Sequence, residues 1–91
     1  MTSRQYASVF DAIADTPQEA ACLRLRAEVM RRIADRIARK GWTQREAAEH
    51  AGITQPRIND LVRGRLSRFS LDALVDIAVA IGLRVELKAA A

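Results

Sequence analysis

Cysteine is all but absent from this 91-residue chain: the one thiol, Cys22, has no partner for an intrachain disulfide, so nothing covalent staples the fold. His50 is the sole histidine, with no cysteine near it, and offers no metal-ligand spacing. Paired carboxylates, a nucleophile beside a base and a glycine-rich phosphate loop are all lacking; neither catalysis nor a cofactor is expected. There is no signal peptide and no apolar run of bilayer length, which makes a cytoplasmic chain without a membrane partner the expectation. Aromatic residues are limited to Tyr6, Phe10, Trp42 and Phe69, so alanine and small aliphatics must fill the core, a composition suited to packed helices. The length accommodates one domain, residues 1–91, and leaves no room for a second, catalytic one.

What is abundant is positive charge. The net charge is +4, and it is unevenly spread: residues 20–41 carry +5 and residues 54–70 carry +3, whereas residues 1–19 carry −2 and residues 71–91 carry −1. A basic surplus confined to particular elements points to a partner of opposite sign, for which nucleic acid is the commonest candidate.

The local grammar is that of helices. Thr16-Pro17-Gln18-Glu19 supplies a capping hydroxyl, a proline at the first helical position and an acid that returns to the cap, and Gly41 ends the helix so begun. Between them Leu23, Ala27, Met30, Ala34 and Ile37 recur at helical spacing, widened by Val29 and Ile33. Leu25 and Cys22 fall at the edge of that face. Thr43-Gln44-Arg45-Glu46 repeats the capping box and starts a two-turn helix that Gly52 closes. Thr54 begins a third helix in which Pro56 is tolerated in the first turn; Ile58, Leu61 and Val62 form its inward face and Gly64 ends it. Ser70 caps a fourth, with Leu71, Leu74, Val75, Ala78 and Ile81 apolar. After Gly82 the period changes to two: Leu83, Val85 and Leu87 alternate with Arg84, Glu86 and Lys88, which predicts a short strand at 83–88. Such a strand needs a partner, either residues 6–10 or the same strand of a second copy, and the latter predicts a homodimer.

Two short helices about a glycine-containing turn, the second polar and basic on its outer face, form a helix-turn-helix, spanning about residues 43–63. An α-helix fits the major groove of B-DNA, where its first turn meets base edges. With the apolar positions of the third helix subtracted, Gln55, Pro56, Arg57 and Asn59 face outward as candidate base contacts: amides suit adenine, Arg57 suits guanine, and Pro56 offers apolar contact to a thymine methyl. Asp60 has two readings, as acceptor from a cytosine amino group or as ion-pair partner of Arg57 or Arg63. Thr43, Gln44 and Thr54 at helix starts, with Arg63, Arg65 and Arg68 beyond the third helix, are candidate phosphate contacts.

The run Trp42-Thr43-Gln44, Ala47-Ala48, Ala51-Gly52-Ile53-Thr54-Gln55-Pro56, Ile58, Leu61 and Gly64 resembles the Cro/repressor, or XRE, helix-turn-helix family. Together with "SVFDAIADTPQEAACLRLRAEVM" before it and "LSRFSLDALVDIAVAIGLRVEL" after it, the chain resembles small HigA-like antitoxins over about residues 8–88. The resemblance implies an all-α fold of four to five helices with a short C-terminal strand. It further implies a dimeric repressor of a palindromic double-stranded operator that neutralises a small basic RNase toxin of the RelE/HigB type. It places Gln44 on the phosphate-contacting glutamine and Gln55, Arg57 and Asn59 on base-facing positions, with Pro56 where phage repressors carry a second glutamine.

Other readings are plainer. Arg24, Arg26, Arg31, Arg32, Arg36, Arg39 and Lys40 form a solvated helix face, Trp42 is a lid on the core between the first two helices, and Cys22 is a small buried hydrophobe. Two alternatives compete with the antitoxin reading: an orphan phage-type regulator without a toxin, and a protein-interaction module that masks a partner through Phe10, Asp11, Ile13, Asp15 and Glu19.

Overall fold

The spine of the molecule is α1, Pro17–Lys40, in a computed structural model that describes residues 16–89. Its start follows from capping: Thr16 Oγ1 accepts the Glu19 N–H at 3.0 Å and Pro17 needs no intrahelical partner. It ends at Gly41, whose φ of +67° only glycine adopts without steric cost. Ala27, Met30, Ile33 and Ile37 are buried along one face, as their spacing predicts.

Three further helices close around that face: α2, Gln44–Ala51; α3, Gln55–Val62; and α4, Leu71–Ala80. Among them α4 packs along α1, α2 and α3 pack on each other, and the pair is tied in by α3 meeting α1 and α2 meeting α4. Their buried residues share one core in which Ile33, Ile58, Leu61, Leu74 and Phe69 are the largest fully enclosed side chains. Phe69 follows a single 3-10 turn, Leu66–Arg68, that the sequence patterning does not reveal.

The expected strand at 83–88 is not formed: among the described residues there is no strand at all. The alternation is real, but a strand is defined by its ladder, and among the described residues none pairs with this segment to supply one. Instead the Leu83 N–H donates to the Ala78 carbonyl at 2.9 Å and Leu83 packs against the core, while Leu87 is 86% exposed. Residues 6–10, the alternative partner, lie outside the described residues.

Smaller corrections have equally local causes. Val62, assigned to the inward face of α3, is 40% exposed, because Ile58 and Leu61 already fill the contact and Val62 sits on the last turn. Cys22 is exposed rather than buried. Arg36 departs from the solvated face: it donates to the carbonyls of Ile81 (3.3 Å) and Gly82 (3.0 Å), a cation placed at the C-terminal end of α4.

Candidate nucleic-acid interface

The start of α2 is built by a complete capping box: Thr43 Oγ1 accepts the Glu46 N–H at 3.1 Å, and the Glu46 carboxylate accepts the Thr43 N–H at 2.9 Å. Gly52, at φ +71°, ends the helix after two turns, and Ile53 packs into the core beside it. Thr54 then caps α3 by accepting the Arg57 N–H at 3.3 Å. Both threonine hydroxyls are used as acceptors, so each keeps its O–H free to donate toward a phosphate.

Ile58 and Leu61 anchor α3 in the core, and the sides they leave carry the polar residues. Gln55 and Pro56 are exposed; Arg57 and Asn59 are half-buried. Gln44, at the start of α2, reaches across to Asn59, with 3.5 Å between its Nε2 and Asn59 Oδ1, a long contact that nonetheless brings an expected phosphate-facing residue and an expected base-facing residue to one place.

Arg57 is held. Its Nη1 donates to the Arg68 carbonyl at 3.0 Å, and its guanidinium lies 4.3 Å from the centre of the Phe69 ring. Phe69 is in turn fastened from behind by Arg26 of α1, whose Nη1 donates to the Phe69 carbonyl at 3.1 Å. Arg26 thus leaves the solvated face to which periodicity assigns it. Gly64, at φ +73°, reverses the chain after α3 and leaves Arg63, Arg65 and Arg68 exposed around the reversal.

Asp60 pairs with neither of the partners expected from helical spacing. Its Oδ1 accepts from Arg65 at 2.8 Å and its Oδ2 from Arg68 at 3.3 Å, because the reversal at Gly64 folds the following turn back toward the end of α3. The Arg65 hydrogen bond, opposed by burial and reinforced by the Arg68 charge, holds the Asp60 carboxyl below its usual value. Trp42 is half-buried on the core and stacks on His50 with ring centres 4.0 Å apart, so the lid reading holds and the histidine is its cover.

Two eight-residue helices joined at Gly52, with the second anchored by its apolar side and bearing two amides and one arginine elsewhere on its surface, define a helix-turn-helix protein. Residues 12–90 match a family described as a helix-turn-helix domain, XRE-like in kind, and the chain belongs to that family. Membership suggests a DNA-binding regulator. No curated protein matches the chain at a significant level.

Proposed function

We propose that the protein is a sequence-specific, double-stranded-DNA-binding transcriptional repressor that acts by occupying an operator and performs no catalysis. The observation that carries this reading is α3 itself: Ile58 and Leu61 anchor it in the core, Gln55 is exposed, Arg57 and Asn59 are half-buried at its flanks, and Arg63, Arg65 and Arg68 follow at once. In it Gln55, Pro56, Arg57 and Asn59 meet base edges; Thr43, Gln44, Thr54 and the three arginines meet phosphates. One of the five Arg57 donors is engaged with Arg68, and the others are available to a guanine edge. A mobility-shift assay on the region upstream of the protein's own gene tests the proposal. Salt-sensitive binding that Gln55→Ala with Arg57→Ala removes is expected, whereas unchanged binding by that double variant rules out α3 as the reading helix.

The repressor is a homodimer on a palindrome in this reading. Its support is apolar surface that the described residues leave uncovered: Leu25 and Val85 flank a groove between α1 and the C-terminal segment, and Val79 is 59% exposed. Pairing with a basic RNase toxin rests on the resemblance to HigA-like antitoxins alone. Co-purification with the product of the adjacent reading frame, lost on removal of residues 1–15 with DNA binding retained, is the outcome expected of an antitoxin. An intact DNA response with no such partner is that of an orphan regulator.

A further inference from the structure

Asp60 is the one acid in the basic stretch 54–70, set against Arg57, Arg63, Arg65 and Arg68. It is also buried, at 9% exposure. A carboxylate taken out of water is unfavourable unless charged partners satisfy it, and one placed beside phosphates repels them. Its geometry shows what it does. The two carboxylate oxygens take separate arginines, Arg65 at 2.8 Å and Arg68 at 3.3 Å, and the backbone repeats the tie, with the Arg65 N–H on the Asp60 carbonyl at 3.0 Å. Arg68, held in this way, turns its own carbonyl to Arg57, and the next residue, Phe69, lies under the Arg57 guanidinium. The links run from α3 to the turn at 64–69 and back to α3.

We propose that Asp60 is a positioning residue for this interface: it holds the turn after α3 so that Arg65 and Arg68 stand ready for the phosphate backbone and the Arg68 carbonyl keeps Arg57 in place. A guanidinium has five N–H donors, and each of these two spends one Nη1 on the carboxylate. The side chains remain 42% and 59% exposed, so neither arginine is sealed off by its bond to Asp60. Arginines held in place before binding lose less freedom when they engage a phosphate. The inference rests on the DNA-binding reading above.

The sign of one effect separates positioning from mere charge. If Asp60 acted only as a negative charge, Asp60→Asn would change the 54–70 stretch from four arginines against one acid to four against none, and binding would tighten. Positioning predicts the reverse, a loss of about tenfold in affinity despite the gain in net positive charge. The full chain, Asp60→Asn, Arg65→Ala with Arg68→Ala, and the triple variant are titrated onto two duplexes, one from upstream of its own gene and one of random sequence at low salt. The proposal expects the tenfold loss in the otherwise intact chain and no added loss when both arginines are already gone. Equal or tighter binding by Asp60→Asn overturns it, as does the same loss in the background that lacks Arg65 and Arg68. A wild-type chain that binds neither duplex overturns the DNA-binding reading itself, a result distinct from either. Should Asp60→Asn lack a cooperative melt, Arg65→Lys with Arg68→Lys keeps both charges without the guanidinium geometry. That variant is expected to show the same weakening, and full binding by it refutes the role.

Discussion

Arg57 has its guanidinium against a buried aromatic ring and its donor on a main-chain carbonyl, so replacing it removes both a base contact and a packing contact. Loss of the Arg57 or the Gln55 contact is expected to cost about 1–3 kcal/mol each in operator binding and to relax specificity at one base position, as read by binding to single-base operator variants. Phe69→Ala acts differently: with the ring 2% exposed, a loss of about 3–5 kcal/mol in stability is expected from chemical denaturation. Asp60 supplies a pH dependence whose sign is set by its lowered value. Its contribution is complete above the ordinary carboxylate value of 3.8 and is lost as pH falls through the lower folded-state value. Thermal melts between pH 2 and 6 should therefore decline more steeply below about pH 4 for the wild type than for Asp60→Asn. At this scale the non-core positions of Gln55, Arg57 and Asn59 were legible by subtracting apolar positions from a helix, and Gln44 by its place at a helix start. The partners of Asp60 and the tie from Arg26 to Phe69 were not, because they depend on a chain reversal and on a contact spanning 43 residues.

Helix boundaries were the most legible feature, since each rests on chemistry within four residues. Thr16, Thr43, Thr54 and Ser70 all cap where their hydroxyls predict, and Gly41 and Gly52 both take the left-handed conformation. Thr43→Ala, which removes half of the capping box at the start of α2, is expected to cost about 1 kcal/mol of stability. Gly52→Ala forces a Cβ into φ +71° with no neighbour nearby, so the cost is conformational alone, about 1–2 kcal/mol in a denaturant titration. The 3-10 turn Leu66–Arg68 has no signature in the sequence because three residues show no period. The strand expected at 83–88 does not form for the opposite reason: its period is clear, but period two describes a face, and a strand exists only with a neighbour.

For the whole molecule, charge distribution sets the test. If about five phosphates are neutralised per subunit, log affinity should fall with log salt at a slope of roughly −4 to −5 per subunit, measured by titration at several salt concentrations. Sedimentation at micromolar concentration addresses assembly, and a dimer is the expected result; a monomer would count against a two-fold operator. No helix among the described residues is long and apolar enough to cross a membrane.

The sequence by itself determined the helices, their ends and the polar side of α3, because capping and apolar spacing act over a few residues of chain. Only the tertiary structure decided that Phe69 closes the core, that Arg26 and Arg36 leave the solvated face for distant carbonyls, and that Asp60 binds the arginines beyond the turn. The physical reason is common to all three: each satisfies a buried or terminal polar group, or fills a void, that exists only once separate helices have met.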